Sequence, residues 1–206
     1  MDHKIVIFEL ILIVNKGILG CPFFIAMNND QLDRLKLIQN LFRDNGTRHY
    51  GEGVTQTQHA VQSYLLAKQA GANLELRLAA FMHDIGHLLE PEDDEGVDLS
   101  HEDSGAEWLI NNNFGQRISD LVASHVWAKR YLACDKTYFN LLSDASKRSL
   151  ILQGGPLSEE ERSNYEKVDY FEDALNLRRW DDLAKDHTNI LSHTVPTDVW
   201  NDIDQL

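Results

Sequence analysis

The segment FMHDIGHLLE, residues 81–90, places side chains that can bind metals in an apolar setting. His83, Asp84 and His87 stand among Phe, Met, Ile and Leu, the residue types that most often fill a protein core. Burying polar groups without partners costs free energy, so these three side chains need a partner inside the fold. Imidazole and carboxylate groups are suitable ligands for iron, zinc and manganese. The segment therefore indicates a metal site on a buried element.

Further histidines and one more acid extend this candidate site. The additional residues are His59, His101, His125 and Asp181. One histidine in a helix is more often an ordinary core or surface residue than a ligand. Several of them in apolar surroundings, beside two acids, are harder to accommodate without an ion. The chain has no clustered cysteines, which argues against a structural zinc or an iron–sulfur cluster.

The elements that must position these residues are expected to be helices. Apolar residues recur at helical spacing in the segments 28–44, 55–71, 73–89, 101–112, 115–133 and 169–186. Gly71 provides a stop signal, and Ser158 with Glu161 forms a capping box that begins another helix. The sequence predicts an all-α fold, a single helical bundle. If 73–89 is one continuous helix, His83 and His87 share a face of it.

Composition and charge restrict the classes of function. The chain has 206 residues, enough for one domain with a sizeable core. Its formal charge of −14 argues against nucleic acid or an anionic membrane as the main partner. A small anionic substrate stays possible, because a few cations in a pocket can override the global field. The two cysteines, Cys21 and Cys134, form no disulfide framework, which favours the cytoplasm.

The N-terminal segment is apolar but interrupted by Glu9, Asn15 and Lys16. A membrane-spanning helix needs about 20 consecutive apolar residues, and this segment has no such run. We expect residues 27–206 to form the folded domain and residues 1–26 to be an extension outside it. The alternative is a targeting segment, because ILGC at 18–21 resembles a lipoprotein cleavage site except at Leu19.

The motif HDIGH, with an upstream histidine and a downstream aspartate, resembles the HD-domain superfamily of helical metalloenzymes. The resemblance extends over about residues 28–187. It implies that one metal ion is held by His59, His83, Asp84 and Asp181. It further implies that Asp84 bridges to a second ion held by His101 and His125. His87 is then expected not to be a ligand but to lie behind the ligands or to contact the substrate, and it is the second candidate catalytic residue beside Asp84.

Most HD-domain proteins are phosphohydrolases, but four further blocks indicate different chemistry. YGEGVTQTQHA, HVWAKRYL, LQGGP and LRRWDDLAK occur in this order along the chain. Together they resemble the phosphonate-cleaving HD-domain oxygenases of the 2-amino-1-hydroxyethylphosphonate dioxygenase type, relatives of myo-inositol oxygenase. The resemblance implies a mixed-valent pair of iron ions (Fe2+/Fe3+) and two small partners, O2 and a phosphonate. The expected reaction cleaves the carbon–phosphorus bond of a 1-hydroxy-2-aminoethylphosphonate, or its N-trimethyl analogue, to phosphate and glycine or glycine betaine.

Two cations lie one helical turn or less from proposed ligands. Lys129 follows His125 by four residues, and Arg178 precedes Asp181 by three, so each pair shares a helix face. Cations beside the metals would form a socket for a phosphonate dianion. The alternative is that both are ordinary surface cations on solvated helices.

The resemblance adds three further substrate contacts. Ser146 matches a serine that contacts the phosphonate, with Ser149 one turn away. Glu52 matches a residue that meets the amino end of the substrate, and Tyr50 matches one that can occupy the second iron before the substrate arrives. The spacing in this segment leaves open the choice between a primary amine and a trimethylammonium group.

Two other functions share these residues. A di-metal phosphohydrolase acting on a small phosphoester or nucleotide would use the same ligands, with a metal-activated hydroxide as nucleophile. A non-catalytic sensor of the HD type is expected to have lost some of the ligands, and this chain has lost none. Dependence on a redox-active iron and on O2 separates the oxygenase from the hydrolase.

Overall fold

The computed structural model describes residues 29–49, 53–89, 100–187 and 194–206. These residues form eleven helices and no sheet, with one isolated β-bridge between His49 and Thr55. The all-α prediction is confirmed. The helices are α1 (Asn29–Asn45), α2 (Gln56–Gln69), α3 (Leu74–Met82), α4 (Gly86–Leu89), α5 (His101–Asn111), α6 (Gln116–Leu132), α7 (Lys136–Leu141), α8 (Asp144–Leu152), α9 (Glu159–Tyr165), α10 (Phe171–Leu183) and α11 (Thr197–Ile203).

The long helix α6 lies at the centre of the bundle. It packs against α5, α10 and α3, and α2 packs in turn against α3 and α10. Each of these helices contributes fully buried apolar side chains to one continuous core. Leu78 of α3, Leu121 of α6 and Leu177 of α10 are examples with no exposed surface. All of the candidate metal-binding residues therefore come from helices that share this core, or from the turn between two of them.

Several helix boundaries follow the signals read from the sequence. Thr55 and Gln58 form a capping box that begins α2, and the predicted box of Ser158 and Glu161 begins α9. Gly71, just beyond α2, has a φ of +77°, a backbone conformation that glycine adopts without steric cost.

The expectation of one continuous helix over 73–89 is wrong. The chain forms α3, then a turn at residues 83–85, then the short α4. In this turn the amides of Ile85, His87 and Leu88 each bond to the carbonyl three residues earlier, as in a tighter 3₁₀-like turn. Hydrophobic periodicity did not register the change, because both halves are buried. As a consequence, His83 and His87 do not share the face of one helix.

The C-terminal helix α11 is held on α2 and α3 by a polar network. Asp202 accepts a hydrogen bond of 2.6 Å from the hydroxyl of Tyr64 and pairs with both Nε and Nη2 of Arg77. Tyr64 and Asp202 are buried. The network therefore attaches α11 to α2, the helix that carries His59, and to α3.

The expectation for the N-terminal extension is not tested, because residues 1–26 lie outside the described residues. Among the residues that are described, no helix combines the length and the apolar character that a membrane crossing requires.

Candidate metal centre

The first cluster joins three elements that are distant in sequence. His59 lies in the first turn of α2, His83 and Asp84 lie at the turn after α3, and Asp181 lies near the end of α10. The Nε2 atoms of His59 and His83 are 3.1 Å apart. Oδ2 of Asp84 lies 3.4 Å from His59 Nε2 and 3.3 Å from His83 Nε2, while Oδ1 of Asp181 lies 3.3 Å from His59 Nε2. All four side chains are buried.

The second cluster lies on the other side of Asp84. His101 is the first residue of α5 and His125 lies in the middle of α6. Their Nε2 atoms are 3.0 Å apart, and each is 3.6 Å from Oδ1 of Asp84. The two oxygens of the Asp84 carboxylate thus face different pairs of histidines. This arrangement is what a carboxylate bridging two cations requires.

Backbone carbonyl groups orient three of the imidazole rings. The Nδ1 atoms of His59, His83 and His125 lie 2.9, 2.9 and 2.7 Å from the carbonyl oxygens of Ala184, Ala80 and Val122, respectively. If Nδ1 carries the proton and donates a hydrogen bond to the carbonyl oxygen, Nε2 of the neutral ring presents a lone pair to the cluster. Ligating histidines in metalloproteins are commonly held in this way.

The contacts between these nitrogens fit a bound cation. Two unprotonated Nε2 atoms about 3 Å apart repel each other unless a proton or a metal ion lies between them. Oδ2 of Asp84 is buried and accepts no hydrogen bond within the described part of the chain, and such an atom is costly unless a cation compensates it. The groups that satisfy the spacing for a metal ion are His59, His83 and Asp84 on one side, and Asp84, His101 and His125 on the other.

Neighbouring groups hold the carboxylates of the site in the charged form. Burial lowers the pKa of His83, but Asp84 and Asp181 outweigh this effect and raise the pKa to about 10. Burial raises the pKa of Asp84, yet His83 and His59 bring it well below its ordinary value. For Asp181, burial is likewise outweighed, chiefly by Arg178. Both carboxylates are therefore in the form that can bind a metal ion.

Gly86 of the HDIGH motif permits the close approach of α4 and α5. A Cβ atom at Gly86 would lie 2.0 Å from the carbonyl oxygen of His101 and 2.7 Å from its Cα. Gly105, one turn along α5, lies against Ile85 and the backbone of Gly86. The absence of a side chain at Gly86 therefore brings the first residue of α5 up to Asp84.

His87 is placed apart from the two clusters. Its ring stacks on that of His101, with centroids 4.0 Å apart and an angle of 18° between the planes. Its backbone carbonyl accepts a hydrogen bond of 3.3 Å from Arg48. His87 is therefore a neighbour of one candidate ligand, in line with the expectation that it is not itself a ligand.

Lys129 and Arg178 are buried, with exposures of 4% and 3%. The alternative that both are surface cations does not fit this burial. Burial and the nearby Arg178 lower the pKa of Lys129 to about 8, against the opposing effect of Asp181 and Asp84. Nη1 of Arg178 lies 2.5 Å from Oδ2 of Asp181, so this arginine contacts a candidate ligand directly.

Ser146 and Ser149 lie on α8, close to Lys129 of α6. The ammonium group of Lys129 donates a hydrogen bond of 3.1 Å to Oγ of Ser149, which donates in turn to the Ser146 carbonyl. The hydroxyl of Ser146 accepts a hydrogen bond of 3.1 Å from Lys185. The structure thus brings together Lys129, Ser146 and a second lysine, while Tyr50 and Glu52 lie outside the described residues.

Comparison with known proteins places this site in a family. A sequence model of the HD domain matches residues 57–175. This chain belongs to the HD-domain family. The matched range contains five of the six candidate ligands of this HD-domain protein, and Asp181 follows it by six residues.

Three relatives resemble this HD-domain protein over about three quarters of its length. The hydroxymethylphosphonate dioxygenase of Gimesia maris is 42% identical over 159 residues, covering 74% of this chain and 79% of the relative. The 1-hydroxy-2-(trimethylamino)ethylphosphonate dioxygenase (glycine-betaine-forming) of Leisingera caerulea is 38% identical over 157 residues, which cover 73% of this chain and 80% of the relative. An uncharacterised protein of Acanthamoeba polyphaga mimivirus is 35% identical over 162 residues, 75% of this chain and 74% of its own.

Sequence reasoning missed several residues that support the site. Gln62 exchanges two hydrogen bonds of 3.0 Å with the backbone of Asp186, close to the Ala184 carbonyl that orients His59. Lys185 lies one turn after Asp181, and its spacing from that residue could have drawn attention to it. Asp182 follows Arg178 by four residues on α10, a spacing that could also have indicated their contact. Nothing in the sequence links Tyr138 to Arg178, although it contacts this arginine.

The position of Asp84 predicts a difference between two variants. Asp84→Ala should lower the occupancy of both metal ions, because each oxygen faces one histidine pair. His125→Ala should mainly lower the occupancy of one. Metal content per chain, measured after reconstitution with iron, checks this, with the exposed Asp33→Ala as a control that keeps both ions. Full content in Asp84→Ala would exclude the bridge.

Gly86→Ala should weaken metal binding by displacing His101. The added methyl group overlaps the His101 backbone, which cannot yield as a flexible side chain would. Gly105→Ala is a milder change at the same contact, because its Cβ would meet a side-chain methyl of Ile85 at 3.0 Å and the backbone nitrogen of Gly86 at 3.1 Å. We expect a cost in the free energy of unfolding of about 1–3 kcal/mol for Gly86→Ala, together with a clear loss of metal and a smaller loss for Gly105→Ala. A metal affinity of Gly86→Ala equal to that of the unchanged protein would separate Gly86 from the site.

Proposed function

We propose that this HD-domain protein is a di-iron oxygenase that cleaves the carbon–phosphorus bond of a small 1-hydroxyphosphonate. The observation that carries the proposal is the Asp84 carboxylate between two histidine pairs, with buried Lys129 and Arg178 nearby. The similarity to two phosphonate dioxygenases supports it. Both relatives have names that specify a phosphonate bearing a hydroxyl on the carbon next to phosphorus, and this shared group defines the substrate class.

The proposed ligands are those expected from the sequence. One ion is held by His59, His83, Asp84 and Asp181, and the other by Asp84, His101 and His125. The Nε2 atoms of the two histidine pairs are 3.1 and 3.0 Å apart, close enough for one ion to bind both nitrogens of a pair. Imidazole and carboxylate ligands suit iron, and the similarity to two dioxygenases supports iron over zinc.

In this proposal one set of residues binds the metal ions and another set binds the substrate. Two iron ions, Fe2+ and Fe3+ on the family pattern, would supply the change of valence and the open position that O2 requires. Lys129 and Arg178 bind the phosphonate, whose charge persists through the reaction, with Ser146 as a further hydrogen-bonding group. Three of the five N–H groups of Arg178 contact Asp181, Asp182 and Tyr138, which leaves two for an anion.

Three further residues are proposed to contact the substrate. His87, stacked on His101, contacts the substrate beside the reacting carbon. Glu52 and Tyr50 receive the amino end where the substrate has one, and the products are then phosphate and glycine or glycine betaine. The overall reaction consumes one O2, replaces the carbon–phosphorus bond by carbon–oxygen and phosphorus–oxygen bonds, and gives a carboxylic acid and phosphate.

We also propose the surroundings in which this reaction takes place. Residues 27–206 act as one domain and residues 1–26 lie outside it. The two cysteines without a disulfide framework favour the cytoplasm. The strongly negative charge disfavours nucleic acid and anionic membranes as partners.

The deciding experiment compares iron with redox-inert metals. Protein reconstituted with iron should release phosphate from at least one of three phosphonates, only with O2 and at one O2 per phosphate: hydroxymethylphosphonate, 1-hydroxy-2-aminoethylphosphonate and its N-trimethyl analogue. Products formed from labelled O2 should carry the label. The zinc form should be inactive on all three. Phosphate release from a phosphoester under argon, with zinc or manganese bound, would instead establish a phosphohydrolase.

Lys129→Ala should raise KM strongly while the iron content is retained. A hydrogen bond to a charged group contributes about 1.5–3 kcal/mol, which corresponds to an increase in KM of about 10-fold to 100-fold. Lys136→Ala removes the same charge from an exposed position on α7 and serves as the control. Steady-state kinetics with the best phosphonate checks this. An unchanged KM for Lys129→Ala would remove this residue from the phosphonate site.

A further inference from the structure

Each nitrogen of the buried guanidinium group of Arg178 contacts a different partner. Nη1 contacts Oδ2 of Asp181 at 2.5 Å, Nη2 contacts Oδ1 of Asp182, and Nε donates to the hydroxyl of Tyr138 at 3.3 Å. A buried guanidinium is tolerated only when its donors and its charge are both matched. Asp182 and Tyr138 supply most of this matching on the side away from Asp181.

Tyr138 and Asp182 are also joined to each other. The hydroxyl of Tyr138 donates to Oδ2 of Asp182, so that Arg178, Asp182 and Tyr138 form a closed triangle of hydrogen bonds. Burial raises the pKa of Tyr138, and its hydroxyl therefore remains a donor at neutral pH. The triangle fixes the plane of the guanidinium group, because each of its members is held by the other two.

The geometry of Asp181 depends on this plane. Its Oδ1 faces His59 and His83, while its Oδ2 faces Arg178. Rotation of the guanidinium group would release Oδ2 and allow the carboxylate to turn. Partners of this kind behind a ligand orient it and tune its basicity.

We propose that Tyr138 and Asp182 are positioning residues, which hold Arg178 so that Asp181 keeps one oxygen directed at the first histidine cluster. This inference rests on the proposed function of that cluster as an iron site. Tyr138 acts from α7, a helix without a fully buried side chain. Its ring packs against the small cluster of Ala133, Leu142 and Leu150, whereas its hydroxyl contacts Arg178 and Asp182, so the two contributions can be separated by removing the hydroxyl alone.

Two conservative variants test the proposal. Tyr138→Phe removes the hydroxyl and keeps the ring, and Asp182→Asn removes the charge and keeps the size. Tyr131→Phe is the matched control for the first, because Tyr131 donates to Glu166 at the surface, at 2.7 Å. Asp173→Asn is the control for the second. Asp173 lies on α10, as Asp182 does, but pairs with Arg117 of α6 at 2.6 Å. All four variants and the unchanged protein are titrated with Fe2+ in competition with a chelator, and their thermal unfolding is recorded.

Tyr138→Phe and Asp182→Asn should weaken the binding of one iron per chain about 10-fold or more, with the other iron unaffected. The two controls should bind both ions as the unchanged protein does. Unchanged iron affinity in both test variants would overturn the proposal. So would a loss of both ions that accompanies a lower melting temperature, because Tyr138 and Asp182 would then be structural. If the unchanged protein binds two irons but oxidises no hydroxyphosphonate, the proposed function fails, whereas the iron titration still decides this inference.

Discussion

The structure depends on one buried carboxylate, that of Asp84, shared between two pairs of imidazole rings. A carboxylate in a core is costly unless positive charge or hydrogen-bond donors surround it. Here its oxygens face His59 and His83 on one side, and His101 and His125 on the other. Three helices, α2, α5 and α6, and the turn after α3 must converge for this to occur, so the composition of the site depends on the packing of the bundle.

The packing of the bundle fixes the orientation of the candidate metal ligands. Three of the imidazole rings are held by carbonyl groups of helical or turn backbone, which cannot move without disturbing the core. Gln62 secures the chain after α10 close to the carbonyl that orients His59. Gly86 permits the close contact that brings His101 to Asp84. Preorganised ligands of this kind bind an ion without a large cost of rearrangement.

The charge distribution separates the site from the rest of the molecule. The chain as a whole is strongly acidic, yet Lys129 and Arg178 are buried near the carboxylates of the site. Burial strengthens electrostatic interactions because water screens them less. A small dianion entering the pocket would therefore respond to these two cations more than to the distant surface acids. Arg178 also contacts Asp181, so the proposed function would couple substrate binding to the geometry of a metal ligand.

The sequence by itself determined the fold class and most of the constituents of the site. Helical periodicity, the capping box at Ser158 and the stop at Gly71 all depend on contacts within one or two turns, which is why they can be read locally. The types of the candidate ligands were also evident, because histidines and aspartates in apolar surroundings are costly without partners.

Only the tertiary structure decided how these residues meet. The break of the helix at His83 arises where α4 closes against α5, and periodicity does not register such a contact. That the two oxygens of Asp84 face opposite histidine pairs depends on the relative rotation of α2, α5 and α6. The contacts of Tyr138 with Arg178 and Asp182 span about 40 residues of sequence. Such contacts are set by the packing of whole helices, and spacing along the chain carries no information about the distance between their faces.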